Sequence, residues 1–261
     1  MTIELQRLLD LPFATVDGRE LLVDVIRPAD QTIVSKAVVY VHGGGWAAGH
    51  RRDTPNELLV ERGFATLSIS YRFSDEAIFP AAIHDVKAAI RWTRANAADL
   101  RIDPERIGIW GHSAGGHLAS LAALTGDLPE LEGDGGNPGF SSSIQAAVPL
   151  SGPSWFPAET MHSDRAVAKL LGGHQTEIPD VAAFASPVGH IAASAPPFLI
   201  IHGDADDVVP MSQSELLNEK LREVGVESEV IRVLGAGHNY HELLNSDVIA
   251  RISQFFARKL V

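Results

Sequence analysis

Short apolar runs alternate with longer segments of helical period along most of the chain. The runs are rich in Ala, Val, Ile and Leu, which is typical of strands in a parallel sheet that is covered on both faces. We assign strands to 37–41, 64–70, 107–110, 146–150, 198–202 and 229–233. Apolar residues at helical spacing predict helices at 54–62, 80–97, 114–124, 212–224 and 239–259. This alternation indicates an α/β fold.

The N-terminal part predicts a hairpin instead. Segments 13–16 and 21–26 flank an Asp-Gly turn dipeptide, as in an antiparallel pair at a sheet edge. Two helix starts are marked, because Pro80 suits a first turn and Ser212 can cap a helix with Glu215 three residues on. We therefore expect a single α/β domain over 1–261, with a mostly parallel central sheet of about eight strands and helices on both faces.

Segment 153–187 fits neither the strand nor the helix period and is interrupted by proline and glycine. We interpret it as a small cap-like insertion over the sheet, with a helix at 165–171. A loop of this kind at the ends of strands commonly shapes a binding pocket.

Composition excludes several kinds of chemistry. The 261 residues include no cysteine, which rules out disulfides, cysteine-ligated zinc, iron–sulfur clusters and thiol catalysis. A net charge of −12 argues against nucleic acid and anionic membrane partners. Stretches 107–126 and 135–158 lack charged residues but are too rich in Gly, Ser, His or Pro to insert into a membrane. The N-terminus has no signal-peptide pattern, so we expect a cytoplasmic protein.

A G-x-S-x-G pattern at 111–115 lies between a predicted strand and a predicted helix. In that context Ser113 would occupy a sharp, strained turn with its hydroxyl at the positive end of the helix. By itself the pattern also fits an idle serine in a glycine-rich helix start.

Consecutive glycines follow another predicted strand, in an H-G-G-G-W pattern at 42–46. The N–H groups of Gly44 and Gly45, with that of Ala114, could bind the oxyanion of a tetrahedral intermediate. A phosphate-binding loop is the alternative, but neither G-x-G-x-x-G nor a Gly-Lys-Ser/Thr ending is present.

A serine nucleophile needs a histidine base and a carboxylate that orients the base. Both follow in chain order, after predicted strands: three acids in segment 202–210, and His238. Asp204, Asp206 and Asp207 all remain candidates on the residues alone. A calcium-like face is a poor alternative, because the loop lacks the later ligands of an EF-hand.

These motifs resemble the α/β-hydrolase esterases of the hormone-sensitive-lipase-like group, over nearly the whole chain. Within that group the chain is most similar to small bacterial esterases that include bifunctional feruloyl and acetyl-xylan esterases, especially over 81–124. Kynurenine formamidases share the H-G-G-x-W pattern. The larger members carry an N-terminal helical cap, which we do not expect here because the first hairpin begins near Phe13.

The resemblance implies a serine carboxylesterase that acts on short-chain or aryl esters, without cofactor or metal, and allows a homodimer. It assigns Ser113 as nucleophile, His238 as base and Asp206, by its spacing to the Val-Pro pair, as the orienting acid. Weaker candidates to line the substrate site are Trp46 and Trp155. An arylformamidase and a non-catalytic small-molecule receptor on the same fold stay open as alternatives.

Overall fold

The computed structural model describes residues 4–30, 32–126, 128–157 and 164–261. Its strands are β1 (Leu5–Val16), β2 (Arg19–Pro28), β3 (Ser35–Val41), β4 (Ala65–Ile69), β5 (Ile102–His112), β6 (Ala146–Leu150), β7 (Phe198–Gly203) and β8 (Ser228–Val233). Its helices are α1 (Glu57–Val60), α2 (Ala81–Ala95), α3 (Ala97–Leu100), α4 (Ala114–Leu124), α5 (Asp164–Leu171), α6 (Pro179–Phe184), α7 (Met211–Glu223), α8 (Tyr240–Leu243) and α9 (Ser246–Lys259).

Within the described ranges the strands form one eight-stranded sheet in the order β1-β2-β4-β3-β5-β6-β7-β8. Strand β2 is antiparallel to both β1 and β4, and every other neighbouring pair is parallel. The predicted mostly parallel sheet is therefore confirmed. In the register, Val41 of β3 pairs with Gly111 of β5, so the loops that follow these two strands leave the sheet side by side.

The central strands are buried on both faces. Val38 and Val39 are each 0% exposed and, as neighbours in a strand, face opposite sides. Val39 packs in the cluster that includes α2 and α4, and Val38 packs in the cluster that includes α9. Burying an aliphatic side chain of this size contributes about 1.5–3 kcal/mol, so the apolar runs of the sequence stabilise the sheet that carries the site.

Several predicted boundaries are wrong, because side-chain caps and tertiary contacts override periodicity. The predicted helix 239–259 is two helices, since the Asn245 side chain accepts hydrogen bonds from the N–H groups of Asp247 and Val248 and begins α9. The predicted helix 80–97 ends as α2 at Ala95 and continues as α3. The predicted helix 54–62 is reduced to the short α1.

Two further expectations about element starts are also corrected. Ser212 lies inside α7 and makes no cap, because the helix begins one residue earlier with Pro210 at the capping position. The hairpin begins at Leu5 rather than near Phe13, because β1 pairs with β2 along almost its whole length.

The segment predicted as an insertion contains α5, α6 and a 3-10 turn at Pro187–His190. The predicted helix 165–171 corresponds to α5, while 158–163 lie outside the described residues. This segment is attached to the rest of the chain through hydrogen bonds, such as that from the Phe79 N–H to the Leu170 carbonyl at 2.8 Å. Among the helices of the described ranges, none is long and apolar enough to cross a membrane.

Candidate active site

Ser113 lies on the turn between β5 and α4 with φ 55° and ψ −119°, a conformation that non-glycine residues rarely adopt. Its N–H donates to the Leu150 carbonyl at 2.8 Å, which ties the turn to the neighbouring strand. A Cβ on Gly115 would collide with the Val41 carbonyl oxygen, so only glycine lets α4 pack this closely on β3. The hydrogen bond and the close packing hold the serine in this strained conformation at the carboxyl edge of the sheet.

His238 is the histidine that the structure brings to Ser113. It follows β8, and its Nε2 lies 2.9 Å from Ser113 Oγ, at hydrogen-bond distance. The preceding Gly237 donates its N–H to the Glu242 carboxylate at 2.7 Å, which holds the histidine loop against the start of α8. The side chain of His238 is 19% exposed, so part of it is accessible to a ligand.

Asp206 completes the line of three side chains. Its Oδ2 accepts from His238 Nδ1 at 2.8 Å, and its Oδ1 accepts from the N–H groups of Val208 and Val209, each at 2.9 Å. The carboxylate is 0% exposed. Burial alone would raise its pKa, but hydrogen bonds from His202, His238 and these N–H groups hold the pKa far below its usual range. Asp206 therefore stays ionised.

The geometry also separates Asp206 from the other acids of its loop. Asp204 is exposed, and its Oδ1 accepts from the Gly235 N–H at 2.7 Å, which braces the turn before the histidine loop. Asp207 is exposed as well. Of the three candidates from the sequence, Asp206 is the one whose carboxylate meets His238.

His202 is a residue whose part in the site the sequence reasoning missed, although it begins the same loop motif. It is 0% exposed, and its Nε2 lies 2.8 Å from the Val209 carbonyl oxygen and 3.3 Å from Asp206 Oδ2. Both neighbours are acceptors, so Nε2 carries the proton and donates. Its Nδ1 lies 2.6 Å from the Ser214 hydroxyl on α7. His202 thus contacts the same carboxylate oxygen, Oδ2, as His238 does.

The glycine loop after β3 turns back toward the serine. Gly44 and Gly45 have φ of 115° and 59°, and within the described residues their N–H groups donate to no protein acceptor. Ala114 is the first residue of α4, so its N–H has no intrahelical partner either. Gly44 and Gly45 line one cavity together with Ser113, so unused donors lie beside the nucleophile, as an oxyanion site requires.

Trp46 anchors this loop. It is 2% exposed with φ 56°, and its Nε1–H donates to His117 Nδ1 at 3.2 Å. His117 Nε2–H donates in turn to the Ala185 carbonyl at 2.8 Å, and burial lowers the pKa of His117 to about 4. This neutral histidine links the glycine loop, α4 and the chain after α6. Trp46 also lines the cavity at Ser113, whereas the half-buried Trp155, whose main-chain N–H donates to Gln213 Oε1, lines neither of the two cavities described below.

His112 contacts the main chain of His238. Its Nε2–H donates to the main-chain carbonyl of His238 at 2.6 Å, and the two rings are 4.9 Å apart. Burial, followed by the nearby His238, lowers the pKa of His112 to about 4, so the ring is neutral at physiological pH.

Two of the cavities in the described part of the chain meet at His238. The first, of about 350 Å³, is lined by Ser113 and by apolar side chains of Trp46, Pro153, Ala166, Val208 and Val209. The second, of about 400 Å³, has a mixed lining of Tyr40, glycines of the 43–49 loop and the side chains of Asp53, His112, Asn239 and Tyr240. The described residues contain no group of three or more His, Cys, Asp or Glu that could hold a metal ion.

The chain is similar to known esterases. The BD-FAE family model matches residues 23–221. The esterase LipQ of Mycobacterium tuberculosis is 35% identical over 246 residues, which is 90% of this chain and 57% of LipQ. The chain thus spans little more than half the length of the curated relatives that it matches, with 58% for LipM of the same organism.

Solved structures match nearly the whole chain. A truncated carbohydrate esterase from gut microbiota is 32% identical, with a TM-score of 0.91 over 99% of this chain and 97% of its own. The propionate-bound esterase 2 of the planctomycete Thermogutta terrifontis is 28% identical, with a TM-score of 0.76 over 98% of this chain and 92% of its own.

Proposed function

The chain belongs to the BD-FAE family of α/β-hydrolases, and we propose that it is a carboxylesterase that forms an acyl-enzyme on Ser113. The family and fold expected from the motifs are confirmed by these matches. The observation that carries the proposal is the line from Ser113 Oγ through His238 to Asp206, with distances of 2.9 and 2.8 Å.

In the first half of the reaction, Ser113 Oγ attacks the ester carbonyl carbon as His238 Nε2 takes the hydroxyl proton. The carbonyl oxygen becomes an oxyanion, which the N–H groups of Gly44, Gly45 and Ala114 stabilise. His238 then donates its proton to the ester oxygen, the bond between that oxygen and the acyl carbon breaks, and the alcohol leaves.

In the second half, His238 takes a proton from a water molecule, and the resulting hydroxide attacks the acyl carbon. The bond to Ser113 breaks, the proton returns to Oγ, and a carboxylic acid is released. Asp206 stays ionised throughout and stabilises the imidazolium that forms in each half. The buried position and low pKa of Asp206 support this role.

The apolar cavity beside Ser113 supports an acyl group of limited size. Its volume of about 350 Å³ includes the space around the nucleophile itself, which favours short acyl groups over long chains. A small-molecule ester as substrate, a cytoplasmic location and a homodimer remain predictions from the sequence.

The test compares initial hydrolysis rates of the protein and its Ser113→Ala variant on p-nitrophenyl acetate, butyrate and octanoate, methyl ferulate and N-formylkynurenine. We expect Ser113→Ala to lower kcat by a factor on the order of 10⁶, because the triad acts as a unit. Ser212→Ala, at an exposed serine on α7, serves as the matched control and should keep full activity. Circular dichroism checks that both variants are folded.

Serine-dependent turnover of the short esters, with little on N-formylkynurenine, supports an esterase. A preference for N-formylkynurenine would replace the esterase with an arylformamidase. Activity of more than a few per cent in Ser113→Ala would contradict the mechanism.

A further inference from the structure

The side chain of His202 is enclosed between α7 and the acid loop, segment 204–210, which carries Asp206. It is 0% exposed and lies near the end of β7. Its Nδ1 lies 2.6 Å from the hydroxyl of Ser214, which is itself only 1% exposed. Its Nε2 lies 2.8 Å from the Val209 carbonyl oxygen and 3.3 Å from Asp206 Oδ2. Both ring nitrogens therefore have partners inside the protein.

These partners determine which nitrogen of the neutral His202 ring carries the hydrogen. A carbonyl and a carboxylate can only accept hydrogen bonds, so Nε2 is the protonated nitrogen and donates. Nδ1 then has a free lone pair and accepts from the Ser214 hydroxyl, whose hydrogen can rotate toward it. Ser214 thus stabilises the tautomer in which His202 donates to Asp206 and to the acid loop.

Two histidines share one oxygen of the catalytic acid. Asp206 Oδ2 accepts from His238 Nδ1 at 2.8 Å and also faces His202 Nε2. A hydrogen bond from His202 offsets part of the negative charge on Oδ2, so this charge stabilises the imidazolium form of His238 less strongly. Without the second donor, His238 would keep its extra proton up to a higher pH. A doubly protonated His238 cannot take the proton of Ser113.

We propose that His202 is a positioning residue for the catalytic acid, and that by sharing Oδ2 with His238 it lowers the pH at which His238 becomes an active base. It acts through Asp206, because it lines neither of the two cavities at His238. Its bond to the Val209 carbonyl also fixes the residue whose N–H holds Asp206 Oδ1. The inference rests on the proposed esterase function and adds a residue to it.

The other titratable groups around His238 do not depend on His202 for their position. Among the described residues, the titratable group that contacts the His202 ring is Asp206. The others around His238 come from β3 and the loop after it, from β5 and from α8: Tyr40, Asp53, His112, Tyr240 and Glu242. A change in pH dependence after substitution of His202 therefore reports on Asp206.

Asparagine and glutamine at position 202 separate the functions of the two ring nitrogens. The amide of asparagine occupies the place of Nδ1, so it reaches Ser214 but not Asp206. The amide nitrogen of glutamine occupies the place of Nε2, and its two hydrogens can serve both Val209 and Asp206. The assay measures kcat/KM on p-nitrophenyl acetate from pH 5 to pH 9 for both variants and the unmodified protein. Circular dichroism checks that each is folded at the assay temperature.

The measured quantity is the midpoint of the rise in kcat/KM with pH. We expect His202→Asn to move this midpoint up by about 0.5–1 pH unit, because Oδ2 then has His238 as its one histidine donor. Below the midpoints this shift lowers the rate about three- to tenfold. His202→Gln should keep the midpoint within about 0.2 pH unit of the unmodified protein, because the donor to Oδ2 is restored.

An unchanged midpoint in His202→Asn would overturn the inference, and so would an equal shift in both variants. If His202→Asn does not fold, nitrogen-15 correlation spectra of the unmodified protein at pH 8 decide: a hydrogen on His202 Nε2 supports the inference, and one on Nδ1 alone overturns it. Failure of the proposed function has a different signature, since Ser113→Ala would then hydrolyse p-nitrophenyl acetate as well as the unmodified protein does. In that case the role of His202 in catalysis is overturned with it.

Discussion

Replacement of Asp206 by asparagine should prevent His238 from acting as a base, although a side chain of nearly the same shape still fills position 206. The two oxygens of Asp206 have different partners: Oδ1 accepts from two backbone N–H groups, while Oδ2 faces His238 Nδ1 and His202 Nε2. An asparagine must direct its side-chain oxygen at these backbone N–H groups, because a backbone N–H can only donate a hydrogen bond. Its NH₂ group then points at both histidines.

In the Asp206→Asn variant this arrangement would reverse the tautomer of His238, the proposed base. His238 Nδ1 would have to accept from the NH₂ group of the substituted side chain, so the ring proton would move to Nε2. A protonated Nε2 cannot take the proton of Ser113, and the imidazolium also loses its counter-charge. We expect kcat to fall by a factor on the order of 10⁴, or about 5.5 kcal/mol in the barrier, as for the same change in other triads.

The assay measures kcat and KM on p-nitrophenyl acetate for Asp206→Asn beside Asp204→Asn and Asp207→Asn. The two control variants carry the same chemical change at exposed acids of the same loop and should stay within about threefold of the unmodified protein, since surface substitutions cost little. A loss of less than tenfold in Asp206→Asn, or a larger loss in either control, would refute the assignment of the acid.

Three further predictions concern pH, packing and specificity. Because the pKa of Asp206 is lower in the folded than in the unfolded chain, the protein loses stability as pH falls below about 4; Asp206→Asn should make this loss shallower by up to about 1.4 kcal/mol per pH unit. Urea unfolding between pH 4 and pH 2.5 measures it, and an unchanged slope would contradict the reasoning. Phe256→Ala removes a ring that is 0% exposed and should cost about 3–5 kcal/mol in the free energy of unfolding, where a loss below 1 would contradict the packing. Ala166→Phe should fill the acyl cavity and lower kcat/KM for the butyrate about tenfold more than for the acetate; an equal effect on both would place the acyl group elsewhere.

Four residues outside the proposed triad hold its side chains and the glycine loop in place. His112 holds the main chain of His238, and His202 holds the carboxylate of Asp206. Trp46 and His117 connect the glycine loop to α4. The His112 contact joins loops that follow two different strands, the Trp46 contact joins a loop to α4, and the His202 contact lies within the loop that follows β7, so the proposed catalytic groups are held by the sheet and by each other.

Local pattern was sufficient to predict the elements that carry the site. The strands 107–110 and 146–150 are apolar because both faces of the sheet are covered, and the serine turn follows from glycines at the end of one of them. The order of serine, acid and histidine, each after a strand, placed them at one edge of a parallel sheet. Sequence periodicity could not locate the break at Asn245, because a side-chain cap and not hydrophobicity starts the last helix.

Only the tertiary structure showed which side chains meet. Three acids share one loop; the family resemblance pointed to Asp206 by its spacing, and the structure brings the Asp206 carboxylate to 2.8 Å from His238 Nδ1. Asp53 and Tyr240 are far apart in sequence and carry no motif, yet they meet in the cavity beside the base. Periodicity and turn residues act over a few neighbouring positions, so the sequence by itself determined the strands, the serine turn and the order of the catalytic groups. Contacts between loops depend on the register of the whole sheet, and the sheet therefore decided which side chains meet around Ser113.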